Sequence, residues 1–224
     1  MSTKSLSNIR AIVWDLDGTL YRYDDNFIEV CNLTAARTAI SLGLKMSDEE
    51  ATATARKSFQ LHGSSFKLFA DHGIRYEDFH LPYHEAVDTT ILIRNTEMKT
   101  ALEALKIPMT ILTNASRSWA KKTVEHLEYS HIFGDANLLA LEDVGYKAKA
   151  HSAAGFEKAL DIMGVRAGET LMVEDLARNL SHAKNLGMTT ALVHHAGSSQ
   201  TDFEHVDLFF DDTLTLVRTL LKAA

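Results

Sequence analysis

Five short apolar runs punctuate the chain, and each stops at polar residues. Residues 11–14 (AIVW) end at Asp15, Asp17 and Gly18, and residues 107–112 (IPMTIL) end at Thr113 and Asn114. Residues 171–173 end at Glu174 and Asp175, residues 189–193 at His194 and His195, and residues 208–210 at Asp211 and Asp212. Apolar runs this short, bounded by turn formers, predict buried strands. Between them the period changes to that of helices. Met98, Ala101, Leu102 and Leu105 fall at i, i+3, i+4 and i+7, with Thr96 as the expected N-cap. Phe156, Ala159, Leu160 and Met163 repeat the spacing up to Gly164, a C-terminal stop, and residues 176–186 end in the same way at Gly187. Asp212 is placed to cap a last helix carrying Leu214, Val217 and Leu221. Strand and helix in alternation predict an α/β fold, a doubly wound parallel sheet with helices on both faces. In such sheets binding sites gather at the carboxyl ends of strands, where these runs break off.

Residues 22–95 interrupt the alternation. They are rich in Ala, Thr, Leu, Lys and Glu, hold Pro82 as their only proline, and show no strand pattern. The expectation is a set of helices inserted after the first strand: a helical cap over 22–95, on a core domain made of 1–21 and 96–224. No Ser/Gly linker marks either edge, so helices belonging to the main domain are the alternative.

Composition narrows the partners. With 46% hydrophobic and 24% charged residues, 11 glycines and 2 prolines, the 224-residue chain has the make-up of a globular protein and not of a low-complexity one. Against 23 Lys and Arg stand 30 Asp and Glu, a net charge of −7. That charge argues against nucleic acid or an anionic membrane as partner and leaves a small phosphate reachable only through a local site or a cation. One cysteine, Cys31, forms no internal disulfide, which suits a reducing compartment. No run resembles a signal peptide or reaches the 18 or so apolar residues of a membrane helix, so the expected location is the cytoplasm.

The chemistry starts at Asp15-Leu16-Asp17-Gly18-Thr19-Leu20. Carboxylates at i and i+2 at a strand end share a side while strand geometry lasts, and they repel unless a cation or a proton intervenes. The same letters also build ordinary turns. A calcium loop is disfavoured, because no Glu follows at the required distance. His194 and His195 lack accompanying Cys or carboxylate ligands and read as turn residues, while Trp14 and Trp119 read as packing residues.

WDLDGTLY (14–21) resembles the first motif of the haloacid dehalogenase-like hydrolases, a superfamily dominated by Mg²⁺-dependent phosphatases. ILTN (111–114) resembles its second motif, Lys149 its third and VEDLARN (173–179) its fourth, in the expected order over nearly the whole chain. The resemblance implies a Rossmann-like core. It implies Asp15 as nucleophile, Asp17 as general acid–base, and phosphate held by Thr113, Asn114 and Lys149. Mg²⁺ would sit on Asp15, the Asp17 carbonyl and Asp175, with Glu174 and Asn179 in supporting places and Asn179 orienting Asp175. The third motif is commonly Lys-Pro, whereas Ala150 follows here; Lys147 competes, and the spacing to Phe156 and Asp175 favours Lys149.

The dehalogenases proper lack the second aspartate, so Asp17 points to phosphoryl chemistry. Tyr21, PYHEAVDTTIL (82–92) and TNASRSWAKKTVEHL (113–127) resemble the pyrimidine 5′-nucleotidase group, although that group often has a His where Trp119 stands. Tyr21, Arg22, Tyr23 and His84 are the cap-side candidates for substrate contact. The implied activity is hydrolysis of a small phosphorylated metabolite, a nucleoside 5′-monophosphate first. A sugar phosphate or phosphoglycolate is the alternative, and a non-catalytic phospho-ligand-binding protein is the alternative from another class.

Overall fold

The structure, a computed structural model, describes residues 6–194 and 202–223; His195 lies outside them. Strand β1 (Ala11–Trp14) is buried along its whole length, as an unbroken apolar run requires when both faces of a sheet are covered. The chain divides into two compact units, Met1–Arg22 with Ile93–Ala224, and Tyr23–Leu92.

The second unit is helical. It contains α1 (Asp25–Ser41), α2 (Asp48–His62) and α3 (Tyr76–Ala86), with no strand among the described residues. Asp24 caps α1 through the Phe27 N–H, and Ser47 with Glu50 forms a reciprocal capping box on α2. Ala35 and Ala39 of α1 and Ala51 and Ala55 of α2 are fully buried in a core completed by Phe66, Phe69 and Phe79. Small residues at i and i+4 on both helices give that core its close approach. Pro82 lies inside α3.

The remaining elements belong to the first unit. Helix α4 (Thr96–Ala104) is capped by Asn95, whose Oδ1 accepts from the Met98 N–H at 3.0 Å, so Thr96 is the first helical residue and not the cap. Strand β2 (Met109–Leu112) starts later than the apolar run, for Pro108 has no N–H to add to a ladder. Then come α5 (Arg117–His126), β3 (Leu138–Leu139), α6 (Ala154–Met163), β4 (Thr170–Glu174) and α7 (Ser181–Asn185). Strands β5 (Thr189–Val193) and β6 (Leu208–Phe210) and helix α8 (Thr213–Ala223) complete the unit. Gly164 ends α6 at φ 65°, and Asp212 accepts from the Thr215 N–H at 2.7 Å at the start of α8. The helix expected over 176–186 is divided. A 3₁₀ turn covers Ala177–Leu180 before α7, with the Asn179 N–H bonded three residues back to Leu176.

The six strands form one parallel sheet in the order β3-β2-β1-β4-β5-β6. Val13, Leu112, Met172 and Leu192 face one side, covered by Phe156 and Ala159 of α6 and Ala183 of α7. Residues of opposite parity, among them Ile12, Trp14, Ile111 and Val173, are fully buried on the other face. Gly155 lets α6 approach β2 closely: a Cβ there would stand 2.7 Å from Leu112 Cδ1. From β1 the chain passes outward to β2 and β3, then returns to the far side of β1 as β4. The order therefore reverses between β1 and β4, the place where such sheets open a crevice. No helix among the described residues is long and apolar enough to cross a membrane.

Candidate active site

Beyond β1 the backbone keeps the ladder for one more residue, with the Asp15 N–H on Val173 O at 3.0 Å, so Asp15 is fixed at the strand's carboxyl end. The chain then turns through Gly18, at φ 84°, and comes back to a bridge between Asp17 and Tyr21. A left-handed residue inside this tight turn explains the glycine. Thr19 within the turn donates its hydroxyl to Asp15 Oδ2 at 3.0 Å.

Neighbouring strands deliver the other groups. At the end of β2 the Thr113 N–H bonds Leu139 O at 2.9 Å, and its hydroxyl accepts from the Ala115 N–H at 3.0 Å while donating to Asp17 Oδ2 at 3.2 Å. Asn114 Oδ1 accepts the backbone N–H of Lys149 at 3.0 Å and so ties that segment to β2. The Lys149 ammonium, 3% exposed, lies 2.5 Å from Asp15 Oδ1 and 2.6 Å from Glu174 Oε1. Lys147 is exposed, so the structure places Lys149 in the cluster and Lys147 at the surface. At the end of β4, Glu174 accepts from the Asn179 amide at 2.7 Å and from the Leu176 N–H at 2.8 Å. Asn179 thus orients Glu174 and not Asp175, the partner expected for it.

These carboxyls are under electrostatic load. Burial pushes Asp15 up to about 7, with the charge of Glu174 adding to the rise and the Lys149 ammonium pulling against it. Burial, then Glu174 and Asp15, hold Asp175 well above the usual carboxylate range. Lys149 pays a desolvation cost too, but Asp15 and Glu174 outweigh it and keep the ammonium above the ordinary lysine range. Asp17 is raised by burial, partly offset by hydrogen bonds from Tyr21, Trp119 and Thr113. Asp15, Glu174 and Asp175 bring one carboxylate oxygen each to within 4.8 Å of one another. Clustered hard oxygen donors, with Asp15 and Asp175 raised in proton affinity, fit a divalent cation, which would offset the repulsion among them. Glu174 in addition receives the Asn179 amide and the Leu176 N–H, which fix its carboxylate beside the other two.

A family model described as haloacid dehalogenase-like hydrolase matches residues 9–187. The chain belongs to this family. The haloacid dehalogenase-like hydrolase described here is 27% identical over 206 residues to the glyceraldehyde 3-phosphate phosphatase of Methanocaldococcus jannaschii, covering 83% of this chain and 85% of that one. A haloacid dehalogenase-like family protein from Streptococcus pneumoniae superposes with a TM-score of 0.67 at 19% identity, over 95% of this chain and 99% of the other. The L-2-haloacid dehalogenase from Xanthobacter autotrophicus, with chloropropionic acid covalently bound, gives 0.62 at 16% identity, over 96% and 100%. At these identities the two solved structures speak to the fold alone.

Within this hydrolase, Asp15, Asp17, Thr113, Asn114, Lys149 and Asp175 all lie at the carboxyl ends of β1, β2 and β4 or in the segments that follow β1, β2, β3 and β4. Trp119, expected only to pack, donates its indole N–H to Asp17 Oδ1 at 2.6 Å, and Tyr21 donates its phenol to the same oxygen at 2.5 Å. No motif announces the Trp119 contact. A tryptophan seven residues beyond the end of β2, in the first turn of a helix facing the site, is the sequence signal for it. Tyr23 and His84 belong to the helical unit, where Tyr23 stacks on Phe27 and His84 bonds His80 O. His194 does take up a turn conformation, at φ 55°, with Nε2 3.2 Å from the Thr213 hydroxyl.

Proposed function

We propose that this hydrolase is a Mg²⁺-dependent phosphomonoesterase that works through an aspartyl-phosphate on Asp15. The observation that carries the reading is the meeting of a buried carboxylate, Asp15, and a half-buried one, Asp17, with one buried ammonium and one hydroxyl, Lys149 and Thr113, at the switch point of the sheet. A protein that merely bound a phospho-ligand would gain nothing from burying a carboxylate nucleophile beside an anion.

An Asp15 oxygen attacks phosphorus as the ester P–O bond breaks, and Asp17 gives the departing alkoxide its proton. Asp17 then takes a proton from water, whose oxygen displaces Asp15 from phosphorus. Lys149 and the Thr113 hydroxyl, with the backbone N–H of Asn114, hold the equatorial phosphoryl oxygens as charge builds on them. Asp15, Asp175 and the Asp17 carbonyl would hold Mg²⁺, which supplies charge neutralisation between the anionic nucleophile and the anionic phosphate.

The substrate is a small phosphorylated metabolite. Nucleoside 5′-monophosphate is suggested by the segments at 82–92 and 113–127, whereas the activity of the M. jannaschii relative favours a short phosphorylated sugar. Residues 22–95 are assigned the role of a specificity cap on a core of 1–21 and 96–224, because they are inserted directly after the first motif. The test is a panel of p-nitrophenyl phosphate, nucleoside monophosphates, glyceraldehyde 3-phosphate and phosphoglycolate, run with Mg²⁺ and with excess chelator. Turnover that depends on Mg²⁺, with ³²P trapped on the wild type and not on Asp15→Asn, is expected. Full turnover in chelator, or label retained by Asp15→Asn, overturns the reading.

A further inference from the structure

Asp17 is gripped by two side chains that the steps above do not use. Its Oδ1 accepts from the Tyr21 phenol at 2.5 Å and from the Trp119 indole at 2.6 Å, whereas Oδ2, among the described residues, accepts the longer bond from Thr113, at 3.2 Å. The two grips come from different directions in the sequence. Tyr21 is brought back by the turn at Gly18, and Trp119 sits in the first turn of α5, where its own N–H bonds the capping Ser116 at 3.2 Å. Both rings are more than nine-tenths buried, so neither is displaced by solvent. An indole N–H only donates, and Oδ1 with two donors has no place left for a proton.

We propose that Tyr21 and Trp119 are positioning residues that anchor Oδ1 of Asp17 and so present Oδ2 to the leaving-group oxygen. This rests on the reading of Asp17 as acid–base. An unanchored aspartyl carboxyl turns easily about its last torsion and exchanges its two oxygens. Two donors converging on one oxygen stop that exchange. Thr113 is the partner able to let go, since its hydroxyl already accepts the Ala115 N–H and can swing its own proton from Oδ2 to a phosphoryl oxygen. In the first step the proton on Oδ2 passes to the alkoxide as the P–O bond breaks; in the second Oδ2 takes one proton from the attacking water. Each transfer needs that oxygen within hydrogen-bond reach and correctly aimed, which is where prior orientation lowers a barrier.

Tyr21→Phe and Trp119→Phe keep the rings and delete the donors, and Trp119→His returns a ring N–H. Each is assayed for kcat and KM on the preferred alkyl phosphate and for the phenol burst on p-nitrophenyl phosphate, with Asp17→Asn as reference. Each Phe variant should lose on the order of tenfold in kcat on the alkyl ester, with KM changed less than about twofold. The burst on p-nitrophenyl phosphate, whose phenolate leaves without an acid, should persist. Trp119→His should recover part of the loss. The proposal is overturned if the Phe variants match the wild type while Asp17→Asn is inactive on the alkyl ester, or if both substrates suffer equally as the melting temperature falls. Normal alkyl-ester turnover by Asp17→Asn removes the acid–base reading itself.

Discussion

Asp15→Asn should abolish turnover and, in the absence of divalent metal, make the fold more stable. The Asp15 carboxyl rises from 3.8 to about 7 on folding, chiefly through burial and then through the charge of Glu174. Its folded value lies above its unfolded one, so the folded state holds the extra proton and stability falls as pH climbs from about 4 to about 7. At roughly 1.4 kcal/mol per pKa unit, burying this carboxyl costs the metal-free fold on the order of 1–2 kcal/mol at pH 5, where the fold must take up a proton, and about 4 kcal/mol at pH 8, where it holds the ionised group. Asparagine has nearly the same shape, offers Lys149 a carbonyl oxygen and carries no charge, so it escapes the cost. Urea unfolding in excess chelator at pH 5 and pH 8 reads the difference directly. The asparagine variant should lead at both values, by about 2 to 3 kcal/mol more at pH 8. Saturating Mg²⁺ should narrow the gap, since a ligand at 100 times its Kd stabilises the wild type by about 2.7 kcal/mol. An asparagine variant less stable than wild type at pH 8 in chelator, or a lead that does not change with pH, would refute the reasoning.

Lys149→Ala should lower kcat/KM on the order of 10²-fold or more, while Lys147→Ala, at an exposed position, should stay near wild type; steady-state kinetics on one phosphomonoester decides between them. Calcium in place of Mg²⁺ should support little turnover, because its longer and looser coordination misplaces the nucleophile, and a metal-replacement series after dialysis against chelator measures it.

Legibility followed burial and chain locality. Strands β1, β5 and β6 occupy the runs read from the sequence, since an apolar stretch that ends in polar residues needs only its own letters to be seen. Strand β3 escaped notice because two residues, Leu138 and Leu139, carry no period. The division of the helix over 176–186 was equally hidden. The 3₁₀ turn there carries Asn179, whose amide bonds Glu174 on the preceding strand, a contact no helical pattern encodes. Motif residues were visible as types in order, yet their partners were not. That Asn179 serves Glu174, and that Trp119 serves Asp17 across 102 residues of sequence, are facts of tertiary geometry.

The insertion of the helical unit after β1 also sets a timetable for synthesis. Strand β1 lies in the middle of the sheet, with Ile12 opposite Met109 on one side and Leu171 on the other, yet it is made first. At about 5–20 residues per second, roughly 8–30 s separate its emergence from that of its second neighbour. The helical unit, whose core is drawn from residues 35–79, is fully synthesised before β2 exists. The nascent chain therefore carries every residue of the helical unit's core before the fully apolar AIVW segment has a strand to pair with. An unpaired apolar strand exposed in this way favours aggregation, so the expected effect of a charge placed at an end of that segment is a change in yield separable from any change in melting temperature.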